Sequence, residues 1–503
     1  MKRWMAVGLA VAALGHLASV AAAAPGAAAG TIPAGGAIAT SKAAPAIIDL
    51  AWAATPSPDS DLAKIAALAD TTGLRSLMLG LRIDFSGVGR LDATALAAQR
   101  ARIKTEADRV DAVLRPYGIA PVTRWNDIGQ VAGKVSGKGI RALAASGVLS
   151  HIWDNTDVRP ELMDYNSNTV IQAHGPGQQV DLTAGAGQTI AIIDSGIQAT
   201  HPWMLDAAGN TRVTRSACFA ENWARNVGYF RPCPNGTGVQ RANDSSAGVP
   251  CPATDCDHGT FVAGVAAGRD PEIVNSGVAP AANIWSVRTG NYDCILIIFC
   301  HAAVTVNDWI NGLAWVTETS ANTGTRVSAV NFSLGIIGYN SNCPDSQFRP
   351  AVINLTTMGT AVVVAAGNAP APGATRPGVA EPACLPEAIS VGATIGSGGP
   401  APRSQYGRVN LLAPGVDIKS SVPGIGNTTS AKSGTSFAAP QVTGAIARLR
   451  ARRGWSESAA RMLEILRTNG DRIPDPRDVI WVGTIPFPAT IPRINVARAL
   501  TAP

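Results

Sequence analysis

Three short runs of small and apolar residues in this chain each carry one reactive group. Asp194 sits in Ile192-Ile193-Asp194-Ser195-Gly196, and His258 opens His258-Gly259-Thr260-Phe261-Val262-Ala263-Gly264. Ser436 lies in Ser433-Gly434-Thr435-Ser436-Phe437-Ala438-Ala439-Pro440. A serine hydroxyl is a weak nucleophile at neutral pH, and an imidazole within hydrogen-bond reach makes it competent by taking its proton. A carboxylate behind the imidazole holds its tautomer and stabilises the cation that forms. Together the three would support acyl transfer, with His258 returning the proton to a leaving amine. Singly, each has a plainer explanation: an Asp after a strand is often a cap, a lone His is usually structural, and Gly-Thr-Ser is a common helix start.

These groups need elements to hold them. Residues 190–193, 284–287, 327–332, 361–365 and 388–391 are short apolar runs ending in Gly-rich turns, separated by helical stretches. That pattern predicts an α/β fold, a parallel sheet buried on both faces by helices, with function at the strand ends. Upstream, residues 47–155 change to an α+β texture without cysteine or any reactive cluster. Strands are predicted over 76–85, 130–135 and 148–153, with helices over 93–114 and 137–146, the second ended by Gly147.

The three runs, in the order Asp, His, Ser, strongly resemble the signature blocks of the subtilisin-like serine peptidases. The resemblance covers about residues 185–500 and includes Gly277-Val278-Ala279-Pro280 and Ala413-Pro414-Gly415. It implies a subtilisin-like endopeptidase with Asp194, His258 and Ser436 as catalytic triad and no cofactor requirement. Ala365-Ala366-Gly367-Asn368 is similar to the family's oxyanion block, so Asn368 is carried over as side-chain donor beside the Ser436 N–H. Asn331-Phe332-Ser333-Leu334-Gly335 resembles the segment that pairs with the substrate backbone, which with Ala366 and Gly367 makes Ser333, Leu334 and Gly335 the expected substrate-binding residues. Ile336 and Ile337 stand where a second glycine is common and are expected to narrow the pocket. Many relatives bind calcium through an Asp two residues after a His-Pro. Here His201-Pro202 is followed by Trp203 and Met204, so no metal ligand is assigned, and structural calcium is left open with Asp206 and Asp270 as substitutes. The α+β unit at 47–155 matches the family's propeptides in size, position and layout, implying an intramolecular inhibitor and chaperone cut off between about residues 155 and 169.

Composition bounds the rest. The chain has 503 residues, with 46% hydrophobic and 15% charged, which excludes wholesale disorder. Lys2 and Arg3, an apolar run over 5–20 and small residues to Ala24 have the layout of a secretory signal, and the run is shorter than the ~20 residues a spanning helix needs. Residues 25–46 read as a flexible spacer and 156–503 as the catalytic domain. The expected destination is extracellular, with the periplasm as the alternative, and a monomer without further membrane span is expected. The net charge of +6 comes from 41 basic against 35 acidic residues spread along the chain, so no nucleic-acid partner is expected. Eight cysteines, all after residue 217, point to disulfides in an exported chain. The local pairings favoured are Cys251 with Cys256, Cys294 with Cys300, and Cys343 with Cys384. The stretch between Asp194 and His258 that holds Cys218, Cys233, Cys251 and Cys256 is expected to be a disulfide-stapled surface excursion.

Two other classes fit less well. An α/β-hydrolase esterase carries its nucleophile in G-x-S-x-G with Ser ahead of Asp and His, whereas Gly434-Thr435-Ser436-Phe437-Ala438 lacks the second glycine and Ser comes last. A catalytically idle binding protein on the same fold would be expected to have lost a triad residue or Asn368, and all are present.

Overall fold

The computed structural model describes residues 47–49, 61–154, 157–158, 181–220, 233–251, 254–272, 276–295, 299–369, 374–395, 398–482 and 485–503. The signal, the spacer and most of the expected cleavage region lie outside these residues.

The N-terminal unit is a five-stranded antiparallel sheet, in the order Ile47–Asp49, Leu149–Asp154, Arg75–Leu81, Gln130–Val135, Thr123–Arg124. Three helices accompany it: α1 (Asp61–Thr72), α2 (Ala93–Leu114) and α3 (Gly137–Ser146). The Asp92 side chain caps α2 and Ser136 caps α3, which ends at Gly147 with φ 69° as a left-handed C-cap requires. Period-two alternation splits the sheet. Leu77, Leu79 and Leu81 pack with the helices, while Met78 and Ala132 join the core of the larger unit.

That larger unit is built on a ten-stranded sheet. From one edge its strands are Asp471–Val482, Ile485–Arg493, Leu411–Pro414, Ile389–Thr394, Ala361–Ala365, Val327–Phe332, Thr189–Asp194, Asn283–Thr289, Val213–Phe219 and Val239–Ala242. Neighbours are parallel except at the two edges. The central strands are buried along their whole length, so their sequences are continuous apolar runs. Alternate residues face opposite layers. Ile193, Val330 and Phe332 share a core with α5 (Val306–Thr323) and α6 (Arg349–Thr357), including Trp309 and Phe348. Ile190 and Ile192 pack with α4 (His258–Ala267), and Val363 and Val391 pack with α7 (Thr435–Arg453) and α8 (Ala459–Thr468). The short α9 (Val496–Thr501) closes the chain on the α7 side. A Cβ at Gly444 would stand 2.6 Å from the Ala266 carbonyl, so the glycine sets how closely α7 approaches α4.

The N-terminal sheet lies on the α5 and α6 layer. Trp125 Nε1 donates to Asn311 Oδ1 of α5 at 2.6 Å, the Val88 N–H donates to Asn354 Oδ1 of α6 at 3.1 Å, and Asn354 Nδ2 donates to the Asp127 carbonyl.

The stretch after Asp194 departs from its expected character. It supplies the buried strand Val213–Phe219 and the edge strand Val239–Ala242 to the central sheet, rather than only a surface excursion, because its Ser216-Ala217-Cys218-Phe219 run is buried. Its disulfides are Cys218–Cys233 and Cys251–Cys256, and Cys343–Cys384 follows later. The last two agree with the favoured pairings. Cys294 and Cys300 are opposite each other in a backbone register, but their side chains lie outside the described ones.

Trp203 and Met204 are fully buried among apolar side chains, which does not fit a calcium ligand set at this place. Asp206 folds back onto the Ala208 and Asn210 amides and Asp270 accepts from the Glu272 amide. Among the described residues there is no group of three or more His, Cys, Asp or Glu side chains placed to hold a metal. Arg212 ties the stretch down instead: its guanidinium donates to the carbonyls of Trp203, Ala267 and Ala282, each at 2.7 Å. Burial pushes its pKa down to about 10, so it remains a cation at neutral pH.

His201 is fully buried. Its Nδ1 accepts from the Trp203 N–H at 3.1 Å and its Nε2 donates to the Thr428 carbonyl at 2.9 Å, which fixes the neutral tautomer. Burial lowers its pKa against a smaller opposing effect of the Thr428 carbonyl. Below the unfolded value of about 6.5 the unfolded chain takes up a proton that the folded chain refuses, so stability is lost as pH falls. His201→Gln keeps a donor and an acceptor without the titration. Its melting temperature should fall less than the parent's between about pH 7.5 and 5.5, as thermal unfolding at the two pH values would report. Disulfide removal should scale with loop length: losing Cys343–Cys384, 41 residues apart, should cost about 2 kcal/mol more than losing Cys251–Cys256, 5 apart, in denaturant titrations.

Candidate active site

The strand order reverses between Thr189–Asp194 and Val327–Phe332, from which the chain continues in opposite directions across the sheet. Ligands bind at such switch points, outside the carboxyl ends of the strands. Asp194 ends one of these strands and Ser333 follows the other.

Asp194 is 1% exposed and its carboxylate is fully engaged. Oδ1 accepts from the Ser195 N–H at 2.7 Å, and His258 Nδ1 donates to Oδ1 at 2.8 Å with Oδ2 at 3.0 Å. The proton on Nδ1 leaves Nε2 as the basic nitrogen facing the cleft. The chain then turns at Gly196, with φ 99°. The Ser195 hydroxyl donates to the Cys256 carbonyl at 3.1 Å and accepts from the Gly259 N–H at 2.9 Å, capping the first turn of α4 from another segment. A Cβ on Gly259 would stand 2.4 Å from the Gly196 carbonyl. Only glycine there lets α4 start with His258 against Asp194. On its other side the His258 ring meets Phe437, centroids 5.4 Å apart.

Ser436 is the second residue of α7. Gly434 before it has φ 155° and ψ 163°, a conformation that side chains avoid. Asn368 Oδ1 accepts from the Thr435 N–H at 3.0 Å and from the Thr435 hydroxyl at 3.3 Å. With its oxygen committed to Thr435, the Asn368 carboxamide has its NH2 to offer to the cleft it lines. The Ser436 N–H belongs to the first turn of α7, whose amides have no carbonyl a full turn earlier. The Ser436 hydroxyl donates to the Ser333 carbonyl at 3.1 Å.

His258 and Ser436 line one cleft, with Ser333, Leu334 and Gly335 on one wall and Ala365, Gly367 and Asn368 on the other. The Ala380 methyl lies between the walls, 3.0 Å from where a Cβ would stand on either Gly335 or Gly367. Ala366, expected to bind substrate, is fully buried and faces the core, since alternation sends its neighbours to the cleft. Ile336 likewise packs in the core and does not narrow the cleft; the Ile337 side chain lies outside the described ones. Sequence reasoning missed Ala380 and Gln405, which line the cleft from two separate segments without a motif, and Ser195, whose capping role depends on a helix start far along the chain.

Several known proteins are similar to this chain. A model of the subtilase family matches residues 185–476. Subtilisin Savinase from Lederbergia lenta is 30% identical over 52% of this chain and 76% of its own length. An alkaline protease from Shouchella clausii is 28% identical over 62% of this chain and 67% of its own. A solved structure described as proteases from Pseudoalteromonas arctica aligns with 64% of this chain and 91% of that one, at 23% identity and a TM-score of 0.47. With the family model spanning more than half of its length, the chain belongs to the subtilase family and is a serine-type endopeptidase.

Proposed function

We propose that this protein is an exported, self-processing endopeptidase that cleaves proteins through an acyl-enzyme on Ser436. One observation carries the reading: a dry, doubly engaged carboxylate holds the His258 imidazole at 2.8 Å in the cleft where Ser436 stands. His258 takes the Ser436 proton as the hydroxyl attacks the scissile carbonyl and later delivers it to the leaving amine, while Asp194 stabilises the imidazolium. The intermediate's oxyanion is bound by the Asn368 NH2 and the Ser436 N–H. Substrate lies along the wall at Ser333, Leu334 and Gly335, with Gly367 opposite, and its main-chain groups supply much of the affinity. Catalysis draws on no cofactor or metal.

Residues 47–155 act as the propeptide. The reading is supported by the unit's own helix-covered sheet and by its seat on α5 and α6 through Trp125, Val88 and Asp127. It ends close to the segment expected to be cut, and that segment is the first substrate. Export through residues 1–24 agrees with the disulfides, which persist in oxidising compartments. The names of the relatives, subtilisins and alkaline proteases, fit a secreted digestive role for this chain.

Intact mass measures self-processing. Expressed without the signal and away from other proteases, the native chain should lose about 130 to 150 N-terminal residues, and Ser436→Ala should stay whole. If both stay whole, the idle binding-protein reading takes precedence. In the mature enzyme Asn368→Ala should lower kcat by about 10²–10³-fold with little change in KM, measured on a chromogenic peptide.

A further inference from the structure

We propose that Ser333 is a positioning residue: its hydroxyl holds the backbone of Ser436 through a carbonyl that Pro440 deprives of its helical partner. This rests on the reading of Ser436 as nucleophile. In an α-helix the carbonyl of residue 436 accepts from the N–H of residue 440. Here residue 440 is a proline inside α7, with no N–H to give. A buried carbonyl left without a donor keeps the full cost of its desolvation. Ser333 Oγ fills the gap from the neighbouring strand end, donating to the Ser436 carbonyl at 2.7 Å.

The direction of that bond is set by two further side chains. Asn331 Nδ2 donates to Ser333 Oγ at 2.8 Å, so the hydroxyl's single hydrogen is directed to the Ser436 carbonyl. Asn331 is itself oriented by Thr443 of α7, whose hydroxyl donates to Asn331 Oδ1 at 3.1 Å. Asn331 and Thr443 are fully buried and Ser333 is 3% exposed, so water does not compete. The relay starts in α7, crosses to the strand Val327–Phe332 and returns to α7 at Ser436. The backbone carbonyl of Ser333 meanwhile accepts the Ser436 hydroxyl at 3.1 Å. Residue 333 thus holds the nucleophile by both its carbonyl and its hydroxyl. It also joins the nucleophile to the wall along which substrate lies. A helical N–H at position 440 would satisfy the same carbonyl from within α7 and leave its first turn free to shift against the strand. Misplacement of a reacting group by about 1 Å can cost 10²-fold in rate.

The test is a set of full-length variants assayed on a chromogenic peptide, with competent sites counted by active-site titration. Ser333→Ala should lower kcat by about tenfold or more with KM within about twofold, and Ser333→Thr, which keeps the donor, should recover most of it. In a Pro440→Ala background, where residue 440 can supply the N–H, the same Ser333→Ala change should cost less than about threefold. An equal loss in both backgrounds, a change confined to KM, or no loss at all would overturn the proposal. If Ser333→Ala does not fold, Thr443→Val, which releases Asn331, should still lower kcat at unchanged KM, and an unchanged kcat overturns the relay. Ser436→Ala runs beside these: if it turns over substrate, the nucleophile assignment fails, whereas a dead Ser436→Ala beside a fully active Ser333→Ala sinks only the relay.

Discussion

A carboxylate buried in a protein is costly unless it is paired and hydrogen-bonded, and the engagement of Asp194 is the constraint on which the rest of the site depends. Its partners are the next residue's amide and an imidazole that comes from another segment. For that imidazole to arrive, α4 must begin where the strand Thr189–Asp194 ends. Gly259 permits the approach and Ser195 caps the helix that makes it. Removing the imidazole, or the glycine that lets it arrive, would leave the Asp194 carboxylate with the Ser195 amide as its remaining partner in a dry site, so the pair and its scaffold are coupled energetically.

The two faces of the large sheet divide the remaining work. On one face α4 and α7 bring an imidazole and a hydroxyl to adjacent strand ends, with Gly444 setting their separation. On the other, α5 and α6 bury aromatic side chains and present Asn311 and Asn354 to the N-terminal unit. That unit meets this face through Trp125, Val88 and Asp127.

Much of this was legible in the sequence because the relevant signals are local. The central strands are continuous apolar runs, the ends of α3 are marked by Ser136 and Gly147, and the reactive residues lie in short motifs that tolerate no bulk. What was not legible is non-local. The strand Val213–Phe219 has charged and polar residues among its first four and is a strand because Asn283–Thr289 pairs with it. The closing hairpin Asp471–Val482 with Ile485–Arg493 contains prolines that argue against strand, and it is tolerated at the sheet edge where fewer ladder bonds are needed. In the site, the orientation of Ala366 toward the core follows from strand alternation, whereas Ala380 enters the cleft from the strand Val379–Glu381, which pairs with Ile336–Asn340, and no local pattern encodes that pairing. The mutual dependence of Ser333 and Pro440 spans two elements and needed the hydrogen-bond geometry.

The central claim is that Ser436 is a nucleophile activated by His258, and covalent capture addresses it directly. The mature protein would be treated with a fluorophosphonate and digested, and the modified peptide located by mass spectrometry. The account predicts a single adduct on Ser436 that forms rapidly in the parent and very slowly in His258→Ala brought to the same N-terminus by an added protease. Labelling at another residue, no labelling of folded mature protein, or labelling of Ser436 at the same rate without His258 would contradict it.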